Sequence, residues 1–251
     1  MTEHKVALVT GGARRIGRAI TLRLAKAGYA VAIHCNTGVA EAEDLAELIA
    51  TEGGRAAVVS ADLADPLSVD AVLPAAAAEL GPVTLLVNNA SMFVSDSVTA
   101  IDVPTWNRQF SVNIRAPSVL SGALANALPD GMEGAIINIL DQRVWKLTPE
   151  YYSYTLSKAA MWAATRTMAQ ALAPRIRVNG VGPGPTLANI HDGEALFTKE
   201  AEGTLLGRAV APEEIADAVL YLAAARSVTG QMLAVDSGQH LGWRTPDIVS
   251  S

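Results

Sequence analysis

The amino-acid sequence predicts an α/β protein built on a doubly wound, mainly parallel sheet with helices on both faces. Three observations predict it. Short apolar, β-rich runs alternate with alanine-rich helical runs from one end of the chain to the other. The short runs are nearly continuous in apolar residues, as strands are when both faces of a sheet are covered. The 251 residues contain no Pro/Gly/Ser-rich linker and no internal repeat, which suits a single domain, 1–251.

The elements follow in order. VALV (6–9) reads as the first strand and leads to a helix over about 15–27. YAVAIH (29–34) and RAAVVS (55–60) are the second and third strands, followed by helices near 40–52 and 66–79. VTLLVN (83–88) precedes a long helical stretch at 103–127, and GAIINIL (134–140) precedes another at 152–173. RIRVNGV (175–181), a helix near 211–224 and GQMLAV (230–235) complete the series. Repeated βαβ units of this kind connect through right-handed crossovers. The segment 182–207 reads as long and irregular, with 185–207 as a substrate loop; such loops are usually lids. Ligands of these sheets sit beyond the carboxyl ends of the strands. The strand exits at 10–17, 34–37, 61–63, 88–95, 138–145 and 182–190 are therefore where function is expected.

Composition narrows the class. At 50% hydrophobic and 18% charged residues the chain is not disordered, and no run approaches the ~20 apolar residues of a membrane span. MTEHKVALVTGG turns to glycine too early for a signal peptide. A single cysteine, Cys35, excludes an internal disulfide and fits a reducing compartment. With 19 Lys+Arg against 25 Asp+Glu, a net charge of −6, and no basic cluster, nucleic acid is a poor partner. The expectation is a cytoplasmic enzyme acting on a small molecule, away from membranes, with no metal assigned.

Thr10-Gly11-Gly12-Ala13-Arg14-Arg15-Ile16-Gly17 follows the first strand and opens the first helix. Glycines there permit a sharp turn and close approach of a pyrophosphate to unpaired N–H groups at the helix start. A tight turn without a ligand would look the same in isolation. The spacing resembles the T-G-x-x-x-G-x-G turn of the short-chain dehydrogenases/reductases, with Arg15 where the middle glycine would stand. Arg15 either reaches phosphate or substrate or is an exposed residue at the helix start. The resemblance implies a Rossmann-type sheet of seven mainly parallel strands in the order 3-2-1-4-5-6-7. The second strand ends in His34-Cys35-Asn36-Thr37-Gly38, without the acid that would accept from the ribose 2′-hydroxyl of NAD. Arg14, Asn36 and Thr37 can instead donate to a 2′-phosphate, which favours NADP(H). Asp62 and Leu63 match the family's adenine-binding pair; alternatively Asp62 caps the helix that begins near Pro66.

Tyr154 and Lys158 stand four residues apart, neighbours on one helix face after the fifth strand. Asn88-Asn89-Ala90-Ser91 closes the fourth strand and Asn113 lies in the next helix. Together these elements span nearly the whole chain and resemble the same family. The resemblance implies that hydride passes from the nicotinamide while Tyr154 supplies a proton. Lys158 eases its release and holds the nicotinamide ribose, and Asn113 holds a water. Asn89, Ala90, Pro183 and Gly184 are carried over as coenzyme contacts, although Thr186 falls closer to Pro183-Gly184 than in most members. The bland readings are a core amide for Asn113 and a solvated lysine for Lys158.

The family's usual serine, about thirteen residues before the tyrosine, is replaced by Asp141. An ionised aspartate only accepts hydrogen bonds, and its charge keeps a nearby phenol protonated. That suits a substrate with N–H donors or a basic nitrogen better than an ordinary ketone. Asp141, Arg15 and Asn89-Ala90-Ser91-Met92-Phe93 together resemble the pteridine reductases. There the aromatic residue stacks the pterin on the nicotinamide, the serine contacts it, and a tyrosine three residues before the catalytic one lies nearby. Phe93, Ser91 and Tyr151 match those positions; packing within the loop is the plain alternative for Phe93. His191 and Trp243 are pocket candidates or else loop and subunit-contact residues. The expected function is NADPH-dependent reduction of a pterin-like C=N bond. The alternatives are a carbonyl reductase, for instance of 3-oxoacyl thioesters, and a dinucleotide-sensing protein without turnover. The resemblance also implies a homotetramer paired through the helices at 103–127 and 152–173.

Overall fold

The computed structural model describes residues 5–188 and 193–243. Seven strands form one sheet: β1 (Val6–Val9), β2 (Ala30–Cys35), β3 (Ala56–Ser60), β4 (Leu85–Asn88), β5 (Gly134–Ile139), β6 (Ile176–Pro183) and β7 (Met232–Val235). Their order is β3-β2-β1-β4-β5-β6-β7, and every neighbouring pair is parallel. Strand order reverses between β1 and β4, so the loops after these two strands meet at one edge of a crevice.

The continuous apolar runs have a direct cause. In β1, Ala7 and Val9 pack on one side with Ile20 and Leu24 of α1 (Arg15–Lys26), Leu45 and Ile49 of α2 (Val39–Thr51), and Ile215 and Val219 of α8 (Pro212–Ala224). Val6 and Leu8 pack on the other with Val72 and Leu73 of α3 (Pro66–Leu80), Leu120 and Leu124 of α5 (Ala116–Ala127), and Ala169 of α6 (Tyr152–Leu172). Successive residues thus enter opposite cores, and all four side chains of β1 are apolar and buried. Each fully buried Leu or Ile stabilises the fold by roughly 1.5–3 kcal/mol.

Two stretches differ from expectation. The helix expected at 103–127 is divided into α4 (Val103–Phe110), a π-turn at Ser111–Arg115, and α5. Pro117 supplies the reason: lacking an N–H, it cannot donate to the carbonyl of Asn113 in α-helical register. The segment 182–207 is not wholly irregular, since α7 (Gly193–Glu202) folds within it. His191 lies outside the described residues, and Trp243 is exposed near their end. Among the described residues no helix is long and apolar enough to cross a membrane.

Candidate active site

The glycine turn is stapled from three directions. Gly11 has φ +62°, and a Cβ at Gly17 would stand 2.0 Å from the Gly11 carbonyl oxygen, so the turn closes only without side chains there. Asn89 Nδ2 donates to the carbonyls of Thr10 (2.8 Å) and Gly11 (3.1 Å), and the Thr10 hydroxyl accepts from the N–H groups of Asn89 and Ala90. His34 holds the third side: its Nδ1 accepts from Gly11 N–H at 3.1 Å, while Nε2 faces the Ala61 carbonyl, also at 3.1 Å. That pairing requires a neutral ring protonated on Nε2. Burial lowers the His34 pKa to about 4. The sequence offered no motif for His34; only the strand pairing brings it under the turn.

The arginines of the turn both have partners within the chain. Arg15, at φ +52°, donates to the carbonyls of Leu187 (3.2 Å) and Ala188 (3.0 Å), tying the turn to the segment after β6. Its length carries the guanidinium across the cleft mouth to these acceptors. Arg14 does reach the end of β2, where it pairs with Glu41 beside Gly38. Asn36 lines the cleft and Thr37 is exposed beside it. Asp62 accepts from Ala64 N–H (2.9 Å) and Arg108 (3.0 Å), and these contacts hold its carboxyl below the usual range. It does not cap α3; Asp65 does, accepting from Leu67 and Ser68. Leu63 is buried at the cleft wall. Pro183 ends β6, and a Cβ on Gly184 would lie 2.6 Å from Cα of Asp236, so glycine there permits the close approach of β7. Thr186 donates to the Gly184 carbonyl.

Tyr154 and Lys158 are brought together on the buried face of α6, at 6% and 4% exposure. The start of that helix is held by Asp96, whose carboxylate accepts from Ser153 N–H at 3.0 and 3.2 Å, a favourable place for an anion. The Tyr154 hydroxyl donates to Asp141 Oδ2 at 2.8 Å, and Asp141 Oδ1 accepts from Arg143 N–H at 2.8 Å. Lys158 Nζ donates to the Ile139 carbonyl at 2.8 Å and lies 5.7 Å from the Tyr154 ring centre. Desolvation and the neighbouring Asp141 carboxylate push the Tyr154 hydroxyl well above its ordinary value. Desolvation also raises Asp141 and lowers Lys158 to about 8, against the pull of the aspartate.

The Asn113 side chain is bonded to other residues of the chain. Its side-chain oxygen accepts from Met92 N–H (2.8 Å) and the Ser91 hydroxyl (3.2 Å), and its Nδ2 donates to the Met92 carbonyl (2.9 Å) and Ser157 (3.0 Å). An amide has two donors and two lone pairs, so the side chain is fully used in fixing the loop after β4. Gln109 performs a parallel task, bridging Val94 and Ser153. Phe93 stands over the cleft, stacked on Tyr151 (centroids 4.3 Å, 11°) and edge-on to Tyr154 (4.5 Å). One face of Phe93 is thus already occupied by Tyr151. A flat ligand has the other face, or displaces Tyr151. Tyr151 itself adopts a left-handed conformation just before α6.

One cleft of about 1110 Å³ runs from Gly11 and Gly17 past Asn36 and Leu63 to Asp141, Tyr154 and Lys158, while Thr37 and Asn113 stand outside its lining. Phe197 and Glu200 of α7 close its far side. Among the described residues no group of three or more His, Cys, Asp or Glu is placed to hold a metal ion. The arrangement is that of a proton donor with an adjacent cation, at the crevice where strand order reverses.

A family model described as enoyl-(acyl carrier protein) reductase matches residues 11–240. A short-chain type dehydrogenase/reductase of Picea abies is 34% identical over 249 residues, covering 94% of this chain and 92% of that protein. The chain belongs to this short-chain dehydrogenase/reductase family and is an oxidoreductase. NADPH-dependent aldehyde reductase 2 of Arabidopsis thaliana, a chloroplastic protein, is also 34% identical, over 93% of each chain. Among solved structures, FolM alternative dihydrofolate reductase 1 from Brucella canis, complexed with NADP, is 49% identical with a TM-score of 0.92, covering 98% of each chain. The expectation of NADP(H) over NAD agrees with the coenzyme that structure holds.

Proposed function

We propose that the protein is an NADPH-dependent reductase of a C=N bond in a pterin-like heterocycle, a dihydropterin or dihydrofolate, with Tyr154 as proton donor. One observation carries the reading: the Tyr154 hydroxyl donates to the carboxylate of Asp141, where most of the family has a neutral hydroxyl. A carboxylate cannot donate to a carbonyl oxygen, but it can accept from the N–H groups of such a ring. The likeness to the Brucella canis dihydrofolate reductase supports the same reading.

The residues fit the coenzyme. The cleft exceeds the ~300–1,000 Å³ usual for one small ligand, leaving room for a dinucleotide and a substrate together. The first turn of α1 has no side-chain cap, so its N–H groups are available to phosphate. In this reading Gly11, Arg14, Ile16 and Gly17 surround the pyrophosphate, and Arg15 holds the lid over it. Asn36, Thr37 and Arg14, exchanging Glu41 for phosphate, take the 2′-phosphate. Asp62 and Leu63 hold the adenine, Asn89 and Ala90 the adjoining ribose, Lys158 the nicotinamide ribose, and Pro183 and Gly184 the nicotinamide side. Bound NADPH supplies the hydride.

The chain's own groups handle the proton. Asp141 keeps the Tyr154 phenol protonated until the substrate nitrogen needs it, and the Lys158 ammonium favours the phenolate left behind. Asn113 positions Ser91 and the loop carrying Phe93, which places the ring against the donor. The lid at 185–207, with α7, excludes water. The same reading has four chains paired across α4–α5 and α6, where Val119 and Leu156 are exposed, and a cytoplasmic location.

NADPH oxidation by the wild type and Tyr154→Phe, with dihydropterin, dihydrofolate and acetoacetyl thioester as substrates, tests the reading. Turnover of the C=N substrates that falls at least about 100-fold in Tyr154→Phe is the expected result. Good ketone turnover without C=N turnover would establish the carbonyl reductase, which the Arabidopsis relative favours.

A further inference from the structure

Arg143 belongs to no motif that identifies the family, yet it lines the cleft two residues beyond Asp141. Its side chain is 15% exposed, and its Nη1 is buried without a hydrogen-bond partner. The guanidinium carbon lies 5.1 Å from the Tyr151 ring centre and 5.9 Å from that of Phe93, while those two rings are only 4.3 Å apart. Distances so similar place the guanidinium against both rings of the stacked pair. Such cation–π contacts offset part of the charge but give the Nη1 donor no hydrogen-bond acceptor. Two acids among the described residues bear on it: Glu200 of α7 lies 3.9 Å from Nη2, with its Oε1 already accepting from Gln239 at 2.7 Å, and the buried Asp141 carboxylate feels its charge while accepting from Tyr154. A mostly buried guanidinium whose Nη1 has no hydrogen-bond acceptor, although acids stand nearby, is poised for an acceptor from outside the chain.

We propose that Arg143 is a specificity-determining residue that donates to a carbonyl or carboxylate oxygen of the substrate, next to the position where Asp141 and Tyr154 meet its nitrogen. The proposal rests on the reading that a pterin-like substrate stacks on Phe93 within reach of Asp141 and Tyr154. It adds that the substrate must present an oxygen acceptor beside its reducible or N–H-bearing edge. Asp141 and Arg143 then form an acceptor–donor pair that rejects a ring lacking either partner. Two sources share this chemistry: a ring carbonyl adjoining the C=N unit, or a carboxylate on a side chain reaching toward α7.

Binding separates this proposal from the catalytic reading. Calorimetric titration of folate, which has both oxygens, and of biopterin, which has only the ring carbonyl, is done on protein saturated with NADP⁺. Wild type, Arg143→Ala and Arg143→Lys are compared. Loss of one charge-assisted hydrogen bond corresponds to a rise in Kd of about 10-fold to 100-fold in Arg143→Ala, with Arg143→Lys in between. A rise for both probes assigns the ring carbonyl; a rise for folate alone assigns the carboxylate. The backbone N–H of residue 143 still meets Asp141 in both variants, so melting temperatures close to wild type are expected. Unchanged Kd for both probes, or no binding of either by the wild type, overturns the proposal. Tight Arg143-dependent binding without any turnover would leave it standing while removing the reductase reading above.

Discussion

His34 gives the most quantitative prediction, because its one acceptor nitrogen holds the turn on which the coenzyme is proposed to sit. The folded protein keeps its pKa at about 4, chiefly through burial, against 6.5 for a free histidine. Between those values the unfolded chain binds more protons than the folded one, so stability falls as pH falls through the window from 6.5 to about 4. At pH 5 the free ring is almost wholly protonated and the buried one only about one-tenth so. The resulting loss is about 2 kcal/mol, rising to a little over 3 kcal/mol once both forms are protonated. Urea unfolding of the wild type and His34→Gln at pH 7.5, 6 and 5 measures it. Carboxylates and the other histidines titrate in both proteins, so the difference between the two curves isolates His34. The wild type should lose about 2 kcal/mol more than His34→Gln between pH 7.5 and 5. Parallel curves would refute the reasoning, since the ring would then not be held neutral against Gly11.

Two further outcomes follow from the same geometry. Gly17→Ala sets a methyl group 2.0 Å from the Gly11 carbonyl oxygen and 2.6 Å from Asn89 Nδ2, so the turn must open. Loss of NADPH binding by fluorescence titration is expected, with a lowered melting temperature. Asp141→Asn removes the carboxylate that raises the Tyr154 hydroxyl and that also opposes the lowering of Lys158. Both groups should then deprotonate at lower pH, and the alkaline limb of the pH–rate profile should move down; an unmoved limb would mean that Asp141 does not set these titrations.

Much of this was legible in one dimension. Strand pattern, most helix positions and the spacing of Tyr154 and Lys158 depend on neighbours a few residues apart, and these appear close to where the sequence placed them. Asp141 was visible as a charge in place of a hydroxyl. The π-turn was missed although Pro117 signalled it, and α7 was missed because its short amphipathic run sits among loop residues. Arg15, Asn89 and Asn113 were recognised as site residues, but not what their side chains bond to. Hydrogen-bond partners 22, 79 and 172 positions away leave no local trace in the chain.

The sequence by itself determined the class of fold and the pairing of Tyr154 with Lys158 on one helix face, since periodicity and i, i+4 spacing are local properties of the chain. Tertiary structure decided which polar groups are already satisfied. It spends Asn113 on the Phe93 loop, Asn89 on the glycine turn, Arg15 on the segment after β6 and His34 on Gly11, and it leaves Arg143 beside the aromatic pair with an unused donor. Whether a buried polar group is satisfied depends on which distant segments the sheet brings together, and burial then sets what an unmet donor or a shifted proton costs.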